Sequence, residues 1–173
     1  WIVLLIVLLM AVIVGAIGAV IGSGGAANSA EDYTYQAQVS EQTESYRDMV
    51  EDYCEKYGID DYVDLCLAVI EQESGGNPPD VMQTEQSYYN VNPPIDTAEK
   101  SIDCGTHELS DCLTKAKSKS PNDIKGISLA LQGYNFGNGY IDWALKNYGC
   151  YSKENAEIFS QKMCVELGYD SYG

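Results

Sequence analysis

Positive charge is scarce in this chain. Lysine and arginine total 10 against 26 aspartates and glutamates, a formal net charge of −16 over 173 residues. Nucleic-acid binding needs a basic footprint, so that class of partner is excluded. Histidine is scarcer still, since His107 stands alone. No cysteine or second histidine lies at zinc-ligand spacing from it, and no CxxC pair occurs, which argues against a structural zinc site. His107 reads as an ordinary helix residue, and neither a metal nor a cofactor is expected. Also missing are any internal repeat and any period-2 alternation long enough for a strand, so the chain reads as mainly α.

Charge is absent altogether from residues 2–21, which are apolar on every face. A core helix would show a polar side, whereas about 20 apolar residues at ~1.5 Å rise cross a ~30 Å hydrocarbon core. The run is longer than the ~7–15 residues of a signal h-region, although "GGAANSA" supplies small residues for a cleavage site. The expectation is an uncleaved anchor over 1–22, a flexible linker over 23–42 and a folded domain over 43–173. The first basic residue after the span is Arg47, so the acidic body is expected on the outer face of the membrane. Six cysteines, Cys54, Cys66, Cys104, Cys112, Cys150 and Cys164, then suggest three disulfides.

Helical periodicity starts near Ser45. Tyr46, Met49, Val50, Tyr53, Cys54 and Tyr57 form one stripe, with Gly58 as the stop. A second helix is expected from Asp61 to Ser74, ended by Gly75-Gly76. "NPPDVMQTEQSYYNVNPP" has too many prolines and asparagines for regular structure, and long loops in compact domains are often functional. Asp96 is expected to cap a third helix whose inner stripe is Ile102, Thr106, Leu109, Leu113 and Ala116. Ser120 is expected to cap a fourth, with Pro121 at its first turn. "YIDWALKNYG" closes at Gly149, and Ser152 caps the last helix. Cys104 and Cys112, eight apart on one helix, would be ~12 Å apart and cannot pair. Cys54–Cys66 is the expected bridge, with Cys104 and Cys112 each joined to Cys150 or Cys164.

The stretch "VIEQESGG" ends the second helix with two glutamates. At ~100° per residue, Glu71 and Glu73 point about 200° apart. Glu71 shares a wet face with Asp64 and Asp60. Glu73 continues the apolar stripe of Tyr62, Cys66, Val69 and Ile70. Burial there would raise its pKa, as a general acid near neutral pH requires. Spacing by itself leaves open the plainer reading, a part-exposed glutamate at a helix end.

"AVIEQESGG", "VMQTEQS" and "ALQGYNFGNGYI" occur in that order, and together they resemble the goose-type lysozyme and lytic transglycosylase superfamily. "QESGG", "YNFGNGYIDWAL" and "YSKENAEIFSQKM" resemble in particular the lysozyme-like domain of bifunctional cell-wall lysins of conjugative elements. The likeness covers about residues 43–173. It implies a lysozyme-like helical domain, here preceded by one transmembrane helix, acting on peptidoglycan as a muramidase. Glu73 would protonate the glycosidic oxygen between N-acetylmuramic acid and N-acetylglucosamine, with Ser74 bracing it. Gln83, Tyr134 and Asn135 would line the sugar groove, and Gly133 and Gly137 would let that segment turn. Goose-type relatives often carry Gly-Leu where this chain has Asp80-Val81. An inverting hydrolase needs a second carboxylate, for which Asp80 and Glu85 are candidates. A lytic transglycosylase needs none, and a non-catalytic glycan-binding module is the further alternative. The resemblance also implies a conjugation or secretion machine as partner. In that subgroup a cysteine endopeptidase domain follows, whose signature none of the six cysteines carries.

Overall fold

The computed structural model describes residues 37–168. The expected anchor and most of the linker lie outside them. Among the described residues, no helix is long and apolar enough to cross a membrane. Residues 37–168 form seven α-helices and one 3₁₀ turn, in the order α1 (Glu41–Glu44), α2 (Arg47–Tyr57), the turn Asp60–Tyr62, α3 (Val63–Ser74), α4 (Ala98–Ala116), α5 (Ile124–Phe136), α6 (Gly139–Tyr148) and α7 (Lys153–Leu167).

The centre is α5, where eight consecutive residues from Gly126 to Gly133 are buried. A helix apolar on every side needs partners on every side. It packs on α4 and α6; α4 also carries α2, and α2 carries α3. The stripe expected on α4 is the buried one, with Ile102, Thr106 and Leu109 fully enclosed. Phe136, Tyr140, Trp143 and Phe159 stack into an aromatic cluster that fastens α7 to α6.

Sequence signals set most helix ends. Gly58, Gly75 and Gly149 take left-handed conformations as stops, and Ser152 caps α7 in a reciprocal capping box with Asn155. Two caps are corrected. Thr97, not Asp96, accepts the Lys100 N–H at the start of α4. Asp123, not Ser120, accepts the Gly126 N–H, so α5 starts three residues after Pro121. In both places a nearby Ser, Thr or Asp offered a rival cap, and tertiary packing chose between them.

Gly133 is also corrected. It lies within α5 rather than at a turn, and a Cβ there would stand 2.3 Å from Ile141 Cδ1. Close approach of α6 requires the glycine; Gly137, at φ 82°, makes the turn. Regular structure begins before residue 43, because Ser40 caps α1 and Thr43 is buried.

The expected disulfides are not formed, and all six thiols are free. Cys54 and Cys66 do meet between α2 and α3, with sulfurs 3.6 Å apart. Cys104 instead donates to the Tyr89 carbonyl, Cys112 to Asn138 Oδ1 and Cys150 to the Tyr148 carbonyl. The two cysteines of α4 face the long loop and the α5–α6 turn, away from α7.

Candidate active site

The last turn of α3 carries both glutamates to opposite sides. Its C-terminus is sharp because Gly75 and Gly76 both have positive φ, and a Cβ on Gly76 would stand 2.9 Å from Thr43 Oγ1. Glu71 does not face water as expected. It accepts from the Ser40 N–H, the Ser40 hydroxyl and the Thr43 hydroxyl, and these bonds, led by Thr43, hold its carboxyl below the ordinary 4.5. Asp64, on the same face, pairs with Arg47 at 2.9 Å. That face is where α1 and the start of α2 dock.

Glu73 behaves in the opposite way. Burial first, and the negative charge of Asp80 second, push its carboxyl up to about 7. No hydrogen bond from a described residue contributes to that value. A carboxylic acid kept free of internal partners and still half protonated near neutrality can hand its proton to a bound ligand.

The long loop 75–97 supplies the facing wall, and α3 and α4 tie it down. Ser74 Oγ donates to the Val81 carbonyl at 2.8 Å, which braces the loop against the residue next to Glu73. Met82 N–H donates to Ser101 Oγ at 2.9 Å. Gly105 makes room for Met82, since a Cβ there would lie 2.6 Å from the Met82 sulfur.

Asp80 organises this wall. Its Oδ1 accepts from Thr84 N–H, Thr84 Oγ1 and Ser101 Oγ, and its Oδ2 from Glu85 N–H. Oδ1 is the crowded oxygen, with three donors, while Oδ2 accepts one. Of the two second-carboxylate candidates, Asp80 is the one whose charge acts on Glu73. Glu85 is exposed, and its Oε2 accepts from Ile95 N–H at 2.8 Å, which ties the middle of the loop to its C-terminal end.

Gln83 is exposed at φ 54°, and its amide donates to the Asp80 carbonyl. Tyr134, from α5, donates its hydroxyl to the Met82 carbonyl at 2.9 Å. Burial raises the Tyr134 pKa first, and the charges of Glu108 and Glu73 add to it. Asn135 bonds back to the Leu131 carbonyl within its own helix. The structure therefore gathers Glu73, Ser74, Asp80, Gln83 and Tyr134 around one loop, with Glu85 at its far closure.

Glu108 was missed by sequence reasoning. It is half-buried, and desolvation raises its pKa. The signal was present, because Glu108 stands four residues from both Cys104 and Cys112, the same apolar-stripe spacing that singled out Glu73.

A helical domain that presents one poised carboxyl beside a fixed carboxylate falls in a fold class, the helical domains of lysozyme-like architecture. Within it, the chain belongs to the lysozyme-like family, whose profile matches residues 40–173. It is similar to the bifunctional muramidase/DL-endopeptidase CwlT of Bacillus subtilis, at 34% identity over 135 residues, 78% of this chain and 39% of the relative. It is also similar to a pneumococcal vaccine antigen A homolog of Streptococcus pyogenes, at 32% identity over 68% of this chain and 57% of the relative. Among solved structures, a lipoprotein-like NLP/P60 family protein of Staphylococcus aureus superposes with a TM-score of 0.62 at 31% identity, covering 75% of this chain and 42% of that one. The chain thus spans about two-fifths to three-fifths of the relatives it matches.

Proposed function

We propose that this domain is a muramidase that cleaves peptidoglycan glycan strands between N-acetylmuramic acid and N-acetylglucosamine. The observation that carries the reading is Glu73, a half-buried carboxyl raised to about 7 with Asp80 beside it. In the proposed reaction Glu73 gives its proton to the glycosidic oxygen as the C1–O bond breaks. A water then attacks C1 from the opposite face and loses its proton to Asp80, through Oδ2, the less crowded of its oxygens. Gln83, Tyr134 and Asn135 are the groove residues of this reading, and family membership supports the substrate class. Anchoring by residues 1–22, an outward-facing domain, and service to a conjugation or secretion machine belong to the same proposal and rest on the sequence.

Mass spectrometry of the products released from purified peptidoglycan tests the reaction. Reducing N-acetylmuramic acid ends are expected. Exclusively 1,6-anhydro ends would mean that the sugar's own 6-hydroxyl attacks, making the domain a lytic transglycosylase. No release of either product would leave a non-catalytic module.

A further inference from the structure

One group of side chains lies outside this reaction. Asp103, His107 and Asp111 follow at four-residue spacing on one face of α4. The His107 ring is sandwiched between two tyrosines, with Tyr57 at 4.3 Å and 12° on one side and Tyr89 at 3.7 Å and 25° on the other. Each tyrosine hydroxyl is held in turn, Tyr57 donating to Asp103 and Tyr89 to Asp111. The stack locks the tip of the loop 75–97 onto α4. The Tyr89 carbonyl accepts from the Cys104 thiol, and Lys100 Nζ donates to the Asn92 and Pro94 carbonyls further along.

What this fastening presents is Tyr88. Its side chain is 90% exposed, and its ring meets Tyr89 edge-on at 5.6 Å. An exposed tyrosine on a loose loop would be unremarked surface. On a tied loop it offers a flat apolar face with little ordering left to do on binding. The position connects with the candidate active site. Tyr88 stands on the same loop that carries Asp80, which Ser101 holds, and that Tyr134 fastens through the Met82 carbonyl.

We propose that Tyr88 is a stacking platform for a sugar ring of the glycan strand, at a subsite away from the bond that Glu73 cleaves. This rests on the reading of the domain as a glycan-cleaving enzyme. The apolar C–H face of a pyranose lies against an aromatic ring while its hydroxyls stay in water, the geometry that a tyrosine with a polar tip accommodates. The surroundings also select the sugar. Glu108 and Asp111 stand beside the loop in a chain of net charge −16, so the lactyl group of N-acetylmuramic acid, a carboxylate where no peptide is attached to it, is disfavoured. The platform therefore takes the neutral N-acetylglucosamine ring, and the nearby carboxylates are placed to accept from its hydroxyl and amide donors.

The test uses a Glu73→Gln parent, in which binding is measured without cleavage. A short peptide-free oligosaccharide of alternating N-acetylglucosamine and N-acetylmuramic acid is titrated by calorimetry. Tyr88→Ala in this parent is expected to weaken binding about tenfold, the effect of losing one ring face of apolar contact. Tyr88→Phe, which keeps that face, is expected to stay within about twofold. Tyr88→Ala binding as tightly as the parent overturns the platform while leaving the functional reading intact. A parent that binds no glycan overturns the functional reading and the platform with it.

Discussion

Glu71 and Glu73 are the same residue type, two positions apart on one helix, yet the fold treats them in opposite ways. Glu71 is surrounded by donors from Ser40 and Thr43, and its carboxyl is held low. Glu73 is half-buried and faces the charge of Asp80, and its carboxyl is pushed up to about 7. One fastens α1 to the body; the other is left free for a ligand. A carboxylate's role is set by whether donors or hydrocarbon reach it, and the helical rotation between neighbours is enough to choose.

The sharpest way to break that comparison is to remove each acid in turn. Glu73→Gln keeps the shape but has no proton to deliver, and is expected to lower glycan-cleaving activity by about 10³-fold or more with unchanged circular dichroism. Activity at or near the wild-type level would remove Glu73 from the chemistry. Wild-type activity is further expected to decline as pH rises through about 7, where Glu73 gives up its proton.

Glu71→Ala is expected to act on stability. It strips the acceptor from the buried Thr43 hydroxyl and from both Ser40 donors, which should cost about 1–3 kcal/mol in urea unfolding. Specific activity of the folded fraction should hold. Loss of activity without loss of stability would show that the two faces of α3 are not separate.

An effect of similar size is in the pH dependence of stability, and its sign differs between the two. Glu71, with a lowered pKa, contributes stability above pH 4.5 that is lost as pH falls through its folded value. Glu73, with a raised one, favours the folded state fully below 4.5 and less as pH rises toward about 7. Relative to Glu73→Gln, the wild type should therefore lose on the order of 1–3 kcal/mol between pH 4.5 and 8, measured by unfolding at a series of pH values. A constant difference across that range would place Glu73 in water.

Much of this was readable along the chain because it depends on local spacing. The stripe on α4, the stops at Gly58, Gly75 and Gly149, and the cap at Ser152 each follow from residues within one or two turns. The opposed directions of Glu71 and Glu73 follow from the helix repeat alone. Several misread positions, by contrast, depend on partners in another element. Gly133 is small because Ile141 packs on it, and Glu71 is bonded because Ser40 returns to it. Cys104 points to Tyr89, so its expected bridge to the C-terminal end does not form.

The amino-acid order therefore determined an all-helical domain, the ends of most helices and a glutamate at the edge of an apolar stripe, since periodicity and capping act over a few residues. Only the tertiary structure decided what surrounds each carboxyl. Asp80 comes to Glu73 because Ser74, Ser101 and Tyr134, from three separate helices, hold one irregular loop in place. A pKa depends on dielectric and on charges within a few ångströms, and those distances exist only once the chain has closed on itself.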